Sequence, residues 1–213
     1  MTSQFDSNTP QPSRFSKIGW IILFLVVAFL LGGAFITFRK SERHALPKEP
    51  PIGEVPYFSF TTQEGKKLTK ADLAGKIWVV DFIFTSCSGP CPRMTSHMAE
   101  LASNLSKNHD VKLVSVSVDP ENDTPSVLAR YASNVQADPT QWFFLTGPTQ
   151  EITSFVTQGM KQPLVVEPMC KPSHSTRFMI VDRQGMIRSY HDANAPEVVQ
   201  KIMIDVGNLL REK

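Results

Sequence analysis

The chain has 213 residues, 41% of them hydrophobic, and 22 Lys+Arg against 20 Asp+Glu give a net charge of +2. That length bounds the protein to one domain with appendages. The apolar fraction excludes a wholly disordered chain, and the near-balance of charge lacks the clustered basic excess of a nucleic-acid binder.

Residues 1–17 are rich in Ser, Thr, Gln, Asn and Pro without an apolar period, and they predict a disordered tail. Residues 18–38 (IGWIILFLVVAFLLGGAFITF) carry no charge. At about 1.5 Å per residue such a run spans a hydrocarbon core of ~30 Å, so it predicts a single-pass transmembrane anchor. A cleaved signal peptide is the alternative, with Gly32 and Ala34 supplying small residues for the cleavage site. Arg14 and Lys17 precede the run, while Arg39, Lys40, Arg43 and Lys48 follow it. Counted alone, these charges put the C-terminal part in the cytoplasm. Residues 39–56 hold Pro47, Pro50, Pro51 and Pro56 and predict a semi-rigid tether, in which His44 is a solvated residue.

Residues 57–213 are long enough for a real core. Residues 77–84 (IWVVDFIF) read as a strand covered on both faces. Met94, Met98, Leu101 and Leu105 then recur at helical spacing. Residues 111–118 alternate as a strand, 126–133 predict a helix starting near Thr124-Pro125, and 142–145 form a short apolar run. Residues 150–158 predict another helix. Residues 178–181 and 186–190 flank Asp182-Arg183-Gln184-Gly185, a hairpin signal. Residues 195–210 close the chain as an amphipathic helix, with Pro196 near its start. This order predicts an α/β domain of thioredoxin-like fold.

The chemistry concentrates in Thr85-Ser-Cys87-Ser-Gly-Pro-Cys91-Pro92, between the central strand and the following helix. Cys87 falls in the loop and Cys91 at the helix entrance, where free N–H groups are expected to lower a thiol pKa. Two sulfurs so placed can close a disulfide or grip one soft metal ion; two small buried hydrophobes are the plainer alternative. The three-residue spacing lets both thiolates face one point. Cu(I) accepts few ligands and an imidazole can complete a three-donor set, whereas structural zinc wants four ligands.

Among the histidines, His97 lies six residues past Cys91, about 9 Å along a helix, too far for a shared ion. His109 and His191 read as surface residues. His174, in the loop before strand 178–181, is the candidate third ligand. Cys170, four residues before it, is a bystander, a resolving thiol or a substitute ligand. Met94 and Met169 are soft donors nearby, Met94 belonging to the helix stripe. Asp81 sits inside the apolar strand, either as a proton carrier raised in pKa by burial or as a hydrogen-bonded structural group. Asp119 and Asp123 are accounted for by turn formation and capping.

The segments VVDFIFTSCSGPCPRM, VSVSVDPENDTPSVLARYA, WFFLTGPTQEI and HSTRFMIVDRQG, in this order, resemble the Sco/SenC family of membrane-anchored copper proteins of cytochrome c oxidase assembly. The resemblance implies one copper ion, Cu(I) or Cu(II), held by Cys87, Cys91 and His174. It implies a metallochaperone that delivers copper to the binuclear copper centre of an oxidase subunit and receives it from a periplasmic donor protein. It places the anchor in a bacterial-type inner membrane with the domain facing the periplasm, against the local charge count. The alternative is a membrane-anchored thiol–disulfide oxidoreductase that keeps the oxidase copper-site cysteines reduced, with Cys87 and Cys91 as its redox pair. A peroxiredoxin-like peroxidase fits poorly, because only Ser86 separates Thr85 from Cys87. Two departures stand out. Ser173 occupies the position before the histidine where many members carry Asp, and the Ser-Gly-Pro between the cysteines lacks an acidic residue.

Overall fold

The structure is a computed structural model and describes residues 19–30, 50–165 and 173–212, with 173 and 174 described by backbone alone. The chain divides into two units, Met1–Lys48 and Glu49–Lys213. In the first, residues 19–30 form a helix, α1, with every side chain exposed. Among the described residues no helix is long and apolar enough to cross a membrane. The expected tail, the rest of the 18–38 span and the tether up to residue 49 lie outside the described residues.

The second unit is built on an eight-stranded sheet. In chain order the strands are β1 (Gly53–Glu54), β2 (Ser59–Thr62), β3 (Lys67–Thr69), β4 (Ile77–Ile83), β5 (Val111–Ser117), β6 (Trp142–Thr146), β9 (Arg177–Val181) and β10 (Met186–Asp192). Their spatial order is β1-β10-β9-β4-β5-β6-β2-β3. The centre β4-β5-β6 is parallel, and β9 runs antiparallel to β4. A separate ribbon pairs β7 (Leu164–Val165) with β8 (Ser173–His174).

Each residue of β4 is buried, as its unbroken apolar run requires of a strand covered on both faces. The crossovers are α2 (Cys91–Leu105) between β4 and β5, and α3 (Pro125–Asn134) between β5 and β6. Met94, Met98, Leu101 and Leu105 make the buried stripe of α2, as their spacing predicts. The last helix, α5 (Val198–Arg211), lies against α2, β4, β9 and β10. Together these elements make a mixed α/β fold of thioredoxin-like type. The parallel strands β4 and β5 end on one edge, so the loops that follow them lie side by side there.

Three stretches differ from expectation. The end of the expected tether is structured: β1 pairs with β10, and Val55 is fully buried. The expected helix 150–158 is α-helical only as α4 (Thr149–Ser154) and continues as a π turn over Phe155–Gly159, closed by Met160 N–H on the Phe155 carbonyl at 2.8 Å. At its start Phe155 packs edge-on against Phe58 and Phe60, with centroids 5.1 and 5.3 Å apart. The closing helix starts at Val198 rather than 195, because β10 runs to Asp192 and Glu197 takes a left-handed φ of 58°. The hairpin signal holds: Gly185 has φ 77°, and the Asp182 carboxylate accepts from the Gln184 and Met186 N–H groups, each at 3.0 Å.

Candidate metal centre

The cysteine loop leaves β4 at the end of the sheet's centre and turns through Pro90 into α2. Cys87 N–H donates to the Phe84 carbonyl at 3.2 Å, and Arg93 and Met94 N–H groups both reach the Pro90 carbonyl at 3.1 Å. No side chain caps this helix start, and a proline sits in its first turn, where a missing N–H costs nothing. Cys87 is half-buried and Cys91 is 1% exposed; both are thiols. The Cys87 side chain lies close enough to the Cys91 thiol to influence its ionisation. An open groove of about 420 Å³ between α2 and α3 has Cys87, Thr85, Pro92, Ala99, Tyr131 and Val135 in its wall.

Burial pushes the Cys91 thiol up to about 12, and the Cys87 hydrogen bond and the nearby charges of Cys87 and Asp81 push the same way. This differs from the expectation of a thiol lowered by the helix N-terminus: at Cys91 desolvation outweighs the lowering effect of the Phe84 backbone hydrogen bond. A thiol so reluctant to ionise keeps its proton until another cation takes the proton's place, and a soft metal ion is such a cation. The donor chemistry therefore fits copper. Two adjacent sulfurs, one open to the groove and one sealed, suit a soft low-coordinate ion.

Asp81 is fully buried one strand turn behind this loop. Ser115 Oγ donates to its Oδ1 at 2.6 Å, and Trp142 Nε1–H donates to Ser115 Oγ at 2.9 Å. The other oxygen, Oδ2, has no hydrogen-bond partner. Burial raises this carboxyl to about 7, against the smaller opposing pull of the Ser115 and backbone hydrogen bonds.

Asp123 was expected to serve turn formation. Its N–H does close that turn, and its side chain is in addition fully buried, accepting from Thr85 N–H at 3.0 Å, Thr85 Oγ1 at 2.5 Å and Ser117 Oγ at 2.5 Å. Asp119 does form the turn, its carbonyl accepting from the Asn122 and Asp123 N–H groups at 3.1 and 2.9 Å, while Thr124 caps α3.

The histidines divide as follows. His97 is half-buried on α2 and presents its ring to Phe178, centroids 6.2 Å apart, and His109 is exposed. His191 is not the surface residue expected. Its Nε2 lies 3.0 Å from Asp205 Oδ2 and 3.1 Å from Ser189 Oγ, tying β10 to α5. His174 lies on β8 opposite Leu164 of β7. The next residue anchors this ribbon, because the buried Ser175 Oγ donates to Gln162 Oε1 at 2.8 Å while Gln162 Nε2 donates to the Met160 and Lys161 carbonyls. Sequence reasoning missed Gln162, and an isolated glutamine before a proline offers no signal for it. Cys170 and Met169 lie outside the described residues. Among the described residues no three His, Cys, Asp or Glu side chains form a ready metal cluster. The loop thus brings Cys87 and Cys91 together, and the backbone places His174 on β8.

The SCO1/SenC family model matches residues 48–206, three quarters of the chain and nearly all of its folded unit. The chain belongs to the SCO1/SenC family. This Sco chain is 40% identical over 144 residues to the SCO1 protein homolog of Bacillus subtilis, covering 66% of the chain and 74% of that relative. Its fold is similar to a SCO1/SenC family lipoprotein from Bacillus anthracis, with a TM-score of 0.71, 32% identity, and 76% and 99% of the two chains covered. It is also similar to BsSco, with a TM-score of 0.69, 34% identity, and 79% and 100% covered. BsSco is described as a member of the Sco family of cytochrome c oxidase assembly proteins in which a disulfide switch was identified. The copper-bound ScoI of Bradyrhizobium japonicum matches the Sco chain with a TM-score of 0.63 at 25% identity, covering 73% and 99%.

Proposed function

We propose that this Sco chain carries copper to the copper-site subunit of cytochrome c oxidase, holding one ion between Cys87, Cys91 and His174. The observation that carries the reading is the pair of neighbouring thiols, one half-buried at a groove and one sealed. Copper is cargo in this scheme. A partner thiolate reaches Cys87 first, because Cys87 is the exposed donor, and Cys91 releases last, so the ion is handed over without being freed. The copper-bound neighbour and the oxidase-assembly membership of BsSco support the cargo and the recipient.

A second reading is favoured by the same thiols and by the disulfide switch of BsSco. Here Cys87 attacks a disulfide of the recipient, forming a mixed disulfide and expelling one recipient thiolate. Cys91 then displaces the second recipient sulfur and leaves a Cys87–Cys91 disulfide. The recipient gains two electrons and the pair loses two. Loading the full chain with Cu(I), with and without a thiol reductant, tests the copper reading. One equivalent should be retained when the pair is reduced and none when it is oxidised; no retention in the reduced state would contradict it.

Residues 1–17 as a tail, 18–38 as an anchor and the part of 39–56 that precedes β1 as a tether would hold the folded domain, from β1 onward, at the outer face of a bacterial-type inner membrane, within reach of a periplasmic copper donor. The lipoprotein neighbour supports attachment to a membrane. Protease added to intact spheroplasts should remove the domain. Protection there, with cleavage only after lysis, would put the domain on the cytoplasmic side, as the flanking charges Arg39, Lys40, Arg43 and Lys48 favour.

A further inference from the structure

We propose that Asp123 is a positioning residue for the cysteine loop: its carboxylate pins Thr85 to the end of β5 and so holds the Cys87 thiol in place against Cys91. The inference rests on the reading of Cys87 and Cys91 as the working pair, and it applies equally whether the pair carries copper or electrons.

The backbone shows why a side chain is needed there. The β4-β5 ladder runs to Val118 N–H on the Ile83 carbonyl at 2.9 Å. Beyond that rung the second strand turns away at Asp119-Pro120, so Thr85 N–H has no strand opposite it. Asp123, which that turn brings back toward the sheet, takes the missing place. Its Oδ2 accepts from Thr85 N–H at 3.0 Å and from Ser117 Oγ at 2.5 Å, while its Oδ1 accepts from Thr85 Oγ1 at 2.5 Å. One carboxylate thus extends the ladder past the end of the sheet by side-chain bonds, two residues before Cys87.

The chemistry of the group agrees with that task. A fully buried carboxylate is costly unless its oxygens are well satisfied, and among the described residues no cation pairs with Asp123. Three hydrogen bonds on one side chain fix its direction as well as its distance. Ser117 is oriented in turn, since Asp119 N–H donates to its Oγ at 3.1 Å and leaves the hydroxyl proton for Asp123. Downstream the loop is held by α2, whose buried Met94 and Met98 seat the helix. Upstream, Cys87 N–H is held by the Phe84 carbonyl, and the tie to Asp123 fixes Thr85, the next residue of that turn.

The test compares Asp123→Asn, Thr85→Val and Ser117→Ala in the full chain. Ser117→Ala removes one bond to the carboxylate and leaves both bonds to Thr85. The first readout needs no metal: the rate at which the reduced protein reacts with dithionitrobenzoate, followed beside thermal unfolding. The second is the sulfur-to-copper absorption after Cu(II) loading. Asp123→Asn should speed the thiol reaction at least about tenfold, the equivalent of one lost hydrogen bond, and should shift or weaken the absorption. Thr85→Val, close in shape, should move both readouts in the same direction by a smaller factor, and it carries the test if Asp123→Asn does not fold. Ser117→Ala should lower the unfolding temperature yet keep both readouts within about twofold of the parent. A thiol rate unchanged in Asp123→Asn and Thr85→Val, whatever the loss of stability, would overturn the inference, as would an equal effect from Ser117→Ala. Absence of copper absorption in the parent protein would instead count against the copper reading, and the thiol rates would still decide the role of Asp123.

Discussion

Cys87→Ala and Cys91→Ala should each lower copper affinity by more than about 100-fold, while differing in their effect on the fold. Either change removes one of two adjacent soft donors, a larger loss than the 10–100-fold cost of disturbing a ligand's supporting partner. Cys91 is 1% exposed and packs in the core, so its truncation leaves a small cavity and should cost about 1 kcal/mol of stability. Cys87 is half-buried at the groove, and its truncation should leave the unfolding midpoint near that of the parent. Cu(I) titration against a competing chelator, alongside denaturant unfolding, checks both halves. A Cys87→Ala protein that keeps full affinity would show that Cys87 is not a ligand.

Between pH 5 and 8 Asp81 should make the protein less stable as the pH rises, and Asp81→Asn should remove that slope. In the unfolded chain this carboxyl loses its proton near its ordinary 3.8; in the folded protein burial holds the proton to about 7. Across that window the folded state binds more protons, so stability falls as pH climbs from about 4 toward 7 and is flat above. Integrated over the window the penalty has an upper bound of about 4 kcal/mol. The asparagine keeps an acceptor for Ser115 but puts an N–H₂ group where Oδ2 has no partner, which costs about 1–3 kcal/mol at every pH. The variant should therefore be less stable than the parent at pH 4 and more stable at pH 8. The depressed carboxyls of Asp72, Asp110, Asp138 and Asp205 lose their contributions below this window, as the pH falls through their folded values. Urea unfolding of both proteins at several pH values measures the difference, and parallel slopes would refute it.

Both predictions depend on burial, and burial is what sequence reading handles least well here. The central elements were legible because each carries its own period: the unbroken apolar run of β4, the four-residue stripe of α2 and the Asp-Arg-Gln-Gly turn between β9 and β10. The cysteine loop was legible for the same reason, lying between two strong signals. The strands β1, β2 and β3 were not, since two to four residues give too short an alternation to read. The π turn at Phe155–Gly159 begins at a ring that packs on Phe58 and Phe60, residues remote in sequence, and carries no local signal. Local signals also misjudged two functional groups. The helix start at Cys91 is visible in Cys-Pro, but the burial of the thiol is a property of the assembled core and has no local signal. Asp123 reads as one more turn aspartate in Asp-Pro-Glu-Asn-Asp-Thr-Pro, because its partner Thr85 is 38 residues away and meets it only when β4 and β5 pair.

Copper delivery and thiol exchange part company at His174. The thiol exchange written above uses two sulfurs and no imidazole, whereas Cu(II) beside thiolate favours one. The decisive measurement is oxidase activity in a strain lacking this protein, complemented with the full chain carrying His174→Ala, Cys87→Ala or Cys91→Ala at matched membrane levels. Copper delivery predicts that all three fail to restore activity, and that His174→Ala lacks the sulfur-to-copper absorption with both thiols still titratable. Restoration by His174→Ala, with both cysteine variants inactive, would contradict copper delivery and leave the thiol–disulfide reading in its place.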